Sequence, residues 1–169
     1  MSHVHRLQTC DRISFVTVNL RRALAPFANR EYGLVVDALA ESRRKLRFLL
    51  YGYVVMPDHW HALIWTGHPL TISRAVQDIK WISACALNGS RATSGSVWQH
   101  QFWDRFVRHP KEFRERLVYM HLNPVGKGLV KRPEDWRWSS YNNFALDKSV
   151  MARCPIAINY TQLPESYRG

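Results

Sequence analysis

Cysteine is scarce in this chain and badly spaced for a covalent or metal framework. Three occur, Cys10, Cys85 and Cys154, odd in number and far apart. Neither a disulfide scaffold nor a zinc cluster is expected, and a reducing compartment, the cytoplasm, is the default. Long hydrophobic runs are missing too. None approaches the ~18 residues of a membrane span, and the opening MSHVHRLQTCDR holds no apolar stretch of the kind a signal peptide needs. Acidic residues are few, 13 against 24 Lys and Arg, which leaves a net charge of +11. Such an excess calls for a polyanionic partner, nucleic acid first; without a long amphipathic basic helix, a membrane surface is not expected. Repeats and low-complexity segments are absent. What is present, 46% hydrophobic and 12% aromatic residues in a chain of 169, suffices for one globular core. A single domain over residues 1–145 is expected, with 146–169 a loosely wrapped tail rather than an independent domain.

Hydrophobic periodicity orders the elements. RISFVTVNL, residues 12–20, alternates and is β-branched, a first strand. Residues 30–46 put Leu34, Val35, Ala38 and Leu39 on one helical face, with Arg43, Arg44 and Lys45 in the last turn, where they suit the helix dipole. Strands over 47–56 and 59–66 flank Pro57-Asp58, a connection short enough to force an antiparallel hairpin. Thr71 caps a helix over 72–88, which Asn88, Gly89 and Ser90 end. Residues 97–108, VWQHQFWDRFVR, read as a strand or bent ribbon. Pro110 suits the first position of a helix over 110–123, and Pro124 marks its end. The order β-α-β-β-α-β followed by a helix predicts an α+β fold. It is the ferredoxin-like sandwich, with an antiparallel sheet, helices on one face and an added C-terminal helix against the scaffold.

Two stretches carry chemistry. In YGYVVMPDHWHALIW, His59 and His61 lie two apart at the head of a strand, so they share one face and both can reach one metal ion. Trp60 takes the other face and anchors the strand. A second pair, His3 and His5, has no strand or turn around it and is set aside. On the helix 110–123, Phe113, Leu117 and Met120 form the core stripe, and Glu112, Arg116, Tyr119 and Asn123 a parallel one. Tyr119 and Asn123 are one turn apart and project together. Two imidazoles and an amide oxygen can hold a divalent metal with open positions, which polarises a phosphodiester, and Tyr119 can attack phosphorus to give a phosphotyrosine. A phenol with a free pKa near ~10 needs activation; metal-bound water, His121 and Asp58 are alternatives for the base.

The strings YGYVVMPDHWHALIW, VWQHQFWDRFVR, LVYMHLNPVGKGLV and DWRWSSY resemble the single-tyrosine HUH transposases of insertion sequences, and more narrowly the REP-associated tyrosine transposases, over about residues 10–145. The resemblance implies a ferredoxin-like fold, a divalent cofactor (Mg²⁺ or Mn²⁺) and cleavage of single-stranded DNA at the foot of a hairpin, leaving a 5′-phosphotyrosine and a free 3′-OH. By position, His59 and His61 match the HUH histidines and Tyr119 the nucleophile. Asn123 matches the polar third ligand, which is Gln in many insertion-sequence members. The expected partners are hairpins of repetitive palindromes, with the protein a monomer or homodimer away from any membrane.

DNA contacts are expected from Arg12, Arg105 and Arg108, and above all from the Arg21-Arg22 pair after the first strand; Arg114 and Lys127 are further candidates. Trp98, Phe102, Trp103 and Phe106 can stack on unpaired bases, although core packing is the better expectation for most of them. Two other readings remain open on sequence alone. One is a non-catalytic single-stranded nucleic-acid binder on the same fold; the other is a metal hydrolase that uses water, with Tyr119 structural.

Overall fold

The computed structural model describes residues 11–145 and 147–159. The His3/His5 pair, Cys10 and the last part of the expected tail lie outside the described residues. In chain order come β1 (Arg12–Asn19), α1 (Asn29–Leu46), β2 (Leu49–Val55), β3 (His59–Thr66), α2 (Ile72–Arg91), β4 (Trp103–Phe106), α3 (Pro110–Gly126) and the short α4 (Lys148–Met151). Two 3₁₀ turns, Pro133–Asp135 and Tyr141–Phe144, separate α3 from α4. The sheet runs β2-β3-β1-β4 with every neighbour antiparallel. This is the ferredoxin-like arrangement that the order of elements predicts.

The two-residue side-chain period divides the core into two layers. Val16 and Val18 of β1 and Trp60, Ala62 and Ile64 of β3 point to one side, where Val35 and Leu39 of α1 and Val76 and Ile79 of α2 cover them. Ile13, Phe15, Tyr51 and Leu63 belong to a second, smaller core, closed by Phe113 and Met120 of α3. The helix after the sandwich therefore lies on the sheet face that α1 and α2 leave open. Trp60 is buried in the larger layer and anchors β3 from behind, a burial worth on the order of 2–3 kcal/mol.

Three local contacts set α3 against the sheet. His109 Nδ1 accepts from Glu112 N at 3.1 Å and caps the helix, while Glu112 Oε2 accepts from Arg108 N at 3.0 Å. The second oxygen of Glu112 meets Arg105 Nε of β4 at 2.8 Å, which ties the start of α3 to the edge strand. Further on, a Cβ at Gly52 of β2 would lie 2.7 Å from Leu117 Cδ1 and 3.0 Å from Met120 Cε, so the missing side chain lets α3 approach the sheet closely.

Several boundaries differ from the sequence-based expectation, each for a physical reason. Residues 97–108, expected as a strand or bent ribbon, form a strand only at Trp103–Phe106, with one isolated bridge between Leu20 and Trp98. Trp98 and Phe102 turn into the core instead, because burying a large ring outweighs a few ladder bonds. Helix α2 continues past residue 88 to Arg91, and Ala92 ends it in left-handed geometry with φ 51°. Helix α3 does not stop at residue 123 but carries Pro124 inside it as far as Gly126. Proline removes one helical bond, yet Pro124 is buried, and Lys127 N, Gly128 N and Leu129 N bond back to the carbonyls of Asn123, Val125 and Pro124.

The described part of the tail expected from residue 146 is held to the body, as is the stretch just before it. Ser139 bridges Val54, and Val55 N donates to Trp138 O at 2.8 Å, so this stretch covers the outer edge of β2. Ile156 joins the larger core, and Asn159 exchanges bonds with Leu50 through N→O at 2.7 Å and Oδ1←N at 3.0 Å. Covering an edge strand in this way removes a site of unwanted pairing.

Across the back of the molecule, Arg91 at the end of α2 grips Glu31 at the start of α1, with Nε to Oε1 at 2.7 Å and a second nitrogen to Oε2 at 2.8 Å. The Arg91 bond first, with backbone donation from Ala28 added, holds the Glu31 carboxyl below its usual range against the opposing effect of burial. Removing one partner of a buried pair strands the other charge. Arg91→Met should therefore destabilise the fold by about 3 kcal/mol, measured by urea unfolding at neutral pH, and by less at a pH low enough to protonate Glu31.

Candidate functional site

Register places the two histidines. Thr17 of β1 pairs with His61 and Asn19 with His59, so both rings stand on the α3 face of the sheet, with Trp60 on the other. Their ring centroids are 4.8 Å apart. His59 Nδ1 is 2.6 Å from Asp58 Oδ1. A carboxylate can only accept, so Nδ1 carries the proton and the lone pair of His59 lies on Nε2. His61 Nδ1 is 2.8 Å from the Thr17 hydroxyl, while its Nε2 is buried with no hydrogen-bond partner. Burial first, then the neighbouring His59, pushes the His61 imidazole down to about 3, so it is neutral at physiological pH. A neutral imidazole with an orphaned nitrogen is what a metal ligand requires.

Helix α3 brings Tyr119 to the same place within one chain. Its ring is 5.6 Å from the His61 ring and 6.1 Å from Phe15, edge-on to both. Phe15 in turn stacks on His61 at 5.2 Å. Tyr119 remains 51% exposed, so its phenol is open to a ligand from solvent. Asn123, half-buried and one turn further along α3, follows Tyr119 on the same helical face. Among the described residues no group of three or more His, Cys, Asp or Glu side chains is arranged to hold a metal ion. The third donor expected from the sequence, the Asn123 amide, lies on the helix face that also carries Tyr119. Two imidazole nitrogens and an amide oxygen are neutral donors of the kinds that bind divalent ions.

Other expected residues separate. Arg21 and Arg22 follow the end of β1 nearest His59 and line an open groove of about 600 Å³ with Ser96, Gln99 and His100, the last two held by Lys80 through their carbonyls at 2.8 and 3.0 Å. Arg105 lies on the Tyr119 face opposite Phe15, although its charge is shared with Glu112. Arg108 is exposed just beyond β4. Arg12 is not brought to the site: it starts β1 at the far end of the sheet, with its guanidinium 5.6 Å above the Phe106 ring.

His121, one alternative for the base, is excluded by its surroundings. It is buried on the other side of α3, its Nε2 is 2.9 Å from Ser140 Oγ, and Tyr141 and Phe144 meet it edge-on. Ser140 Oγ also takes Tyr53 N at 2.9 Å, so this imidazole fastens α3 to β2 and the covering segment.

Two contributors escaped the sequence reading. Thr17 lies among the β-branched residues of an ordinary strand, and no local signal marks it as the partner of His61. Arg116 was visible on the Tyr119 stripe without a role; the structure sets its guanidinium 5.2 Å above the Phe15 ring, beside His61. It adds positive charge beside the His61 imidazole.

The chain is similar to known proteins. Residues 14–107, more than half of the chain, match the family described as "Transposase IS200 like", and the protein belongs to that class of DNA-processing enzymes. A REP-associated tyrosine transposase of Escherichia coli K12 is 32% identical over 133 residues, 76% of this chain and 75% of that protein. Within the class, then, the chain belongs to the REP-associated tyrosine transposases. A solved REP-associated tyrosine transposase bound to a REP hairpin superposes with a TM-score of 0.75 at 25% identity, covering 99% of this chain and 98% of that one. A crystal structure from Deinococcus radiodurans, 15% identical with a TM-score of 0.51 over 73% of this chain and 95% of that one, shares the fold alone. No helix among the described residues is long and apolar enough to cross a membrane.

Burial holds the His121 imidazole down at about 4, below the ordinary 6.5. A histidine depressed on folding contributes stability that is complete above the unfolded value and is lost as pH falls towards the folded one. Thermal stability should thus decline between roughly pH 6.5 and 4, His121 accounting for about 3 kcal/mol of the loss. Its ring resonances should titrate near pH 4; a midpoint near 6.5 would contradict the buried placement.

Proposed function

We propose that the protein cleaves and rejoins single-stranded DNA at the foot of palindromic hairpins, through a covalent 5′-phosphotyrosine on Tyr119. The observation that carries this reading is the contact of the Tyr119 ring with His61, whose Nε2 is buried and without a partner. His59, His61 and Asn123 would hold a divalent ion, Mg²⁺ or Mn²⁺, which when bound supplies Lewis-acid polarisation of the scissile phosphate.

The chain's own residues do the remaining work. Asp58 and Thr17 orient the two imidazoles through their Nδ1 atoms. The Arg21-Arg22 groove, with Arg105 and Arg108, meets the phosphates of the strand, while Arg116 offers charge to the phosphate at the reacting centre. Arg12, at the far end of the sheet, would contact DNA only outside the cleavage site. Tyr119 Oη forms the bond to phosphorus as the bond to the 3′-oxygen of the preceding nucleotide breaks, and that nucleotide leaves with a free 3′-OH. Because the phosphotyrosine keeps the diester's energy, a free 3′-OH can attack it, reform the DNA bond and release Tyr119. The meeting of Tyr119 and His61 within one chain supports a centre that a monomer completes. The excess of positive charge suits a protein at work on DNA in the cytoplasm.

A labelled single-stranded hairpin incubated with the protein and Mn²⁺ should give an adduct that survives a denaturing gel. Tyr119→Phe and His61→Ala should both abolish it. Cleavage by Tyr119→Phe would show that water, not the phenol, is the nucleophile, and hairpin binding without any cleavage would favour a non-catalytic binder.

Partners that orient metal-bound histidines commonly contribute 10- to 100-fold to affinity. Asp58→Asn should accordingly weaken Mn²⁺ binding by roughly 10-fold in a calorimetric titration, with the fold intact by circular dichroism. An unchanged dissociation constant would remove Asp58 from the site.

A further inference from the structure

Four aromatic side chains fall between residues 98 and 106, and the fold sorts them sharply. Trp98 is buried and donates its indole N–H to Ser83 Oγ at 2.9 Å. Phe102 is buried in the same core. Phe106 pairs with Ser14 on the α1–α2 face, beneath Arg12. Trp103 differs from all three, with 75% of its surface exposed.

Its position is set by the sheet. Thr17 pairs with His61 on one side and with Trp103 on the other. Directly opposed residues of an antiparallel pair share a face, so His61, Thr17 and Trp103 form one row on the face that carries Tyr119. At ~4.8 Å per strand, the backbone of Trp103 lies about 10 Å from that of His61, on the edge strand and open to solvent. The next row along holds Phe15 opposite Arg105, and Arg116 covers Phe15, so guanidinium groups border the gap between the indole and Tyr119. A large π surface beside positive charge is the usual pairing of features in sites for unpaired nucleic acid, because every base has a face to stack and every nucleotide a phosphate to neutralise.

We propose that Trp103 is a stacking platform for an unpaired base of the DNA strand next to the phosphate that meets Tyr119. The proposal rests on the reading of Tyr119 as nucleophile for its choice of substrate, but stacking breaks no bond and is measured separately. The platform is a positioning device: it holds the strand so that the phosphate lies over the histidines, and it tolerates different bases at that point.

The test is fluorescence anisotropy of labelled DNA in EDTA, where no metal-dependent cleavage occurs, with two probes: a hairpin with unpaired flanks and the same hairpin cut blunt. Trp103→Ala should weaken binding of the flanked hairpin roughly 5- to 100-fold and leave the blunt one unchanged. Trp103→Phe, which keeps a ring, should recover part of the loss. An abasic site at one unpaired position should weaken the wild type and add nothing to Trp103→Ala. Equal binding of the flanked hairpin by wild type and Trp103→Ala would overturn the proposal, as would an equal loss on both probes. A change in sedimentation without a change in DNA binding would assign the indole to a protein contact instead. Failure of the Tyr119 adduct with the flank-selective loss intact would sink the phosphotyrosine mechanism and leave the platform standing.

Discussion

Pairing of β3 with β1 on one side and β2 on the other fixes the direction of every side chain from His59 to Trp65. A slip of one residue would send both histidines into the apolar layer under α1 and α2 and bring Trp60 out to the opposite face. Burial of Trp60, Ala62 and Ile64 on one side and Leu63 on the other makes that slip prohibitive. The strand can therefore present His61 with a buried, unpartnered nitrogen. Such an atom costs free energy by itself, and only a rigid sheet packed on both faces can hold it.

The second half of the centre depends on how α3 meets the sheet. Glu112 clamps its start to Arg105, Gly52 admits Leu117 and Met120 close to β2, and Ser140 fastens His121 from behind. Apart from Arg105, none of these groups faces the phosphodiester in the proposed reaction. Together they hold a seventeen-residue helix at the one depth and rotation that sets Tyr119 against His61. Helix packing thus supplies the positioning that the proposed reaction needs.

Much of this was legible beforehand because local patterns carried it. Alternation in RISFVTVNL and in the stretch around His59 predicted the strands and the shared face of the two histidines, and helical spacing predicted the core stripe of Phe113, Leu117 and Met120. Boundaries were less legible where long-range packing overrides local preference. Pro124 stays helical because it is buried, and residues 97–102 leave the strand because Trp98 and Phe102 find a core. The role suggested for His121 failed for a similar reason: a helical wheel shows that it points away from Tyr119 but not that Ser140, 19 residues on, waits to bond it.

The sequence by itself determined the elements, their order, the pairing of His59 with His61 and of Tyr119 with Asn123, and an excess of positive charge suited to DNA. Each of these depends on spacing within one strand or helix, or on composition, and so needs no knowledge of the fold. Only the tertiary structure decided that α3 covers the open face of the sheet, that Thr17 supports His61, and that Trp103 rather than Trp98 remains exposed. Those outcomes depend on contacts between residues tens of positions apart, chosen by which surfaces bury best against each other. The alternating pattern of a strand shows which residues share a face; what that face meets is settled when the layers pack.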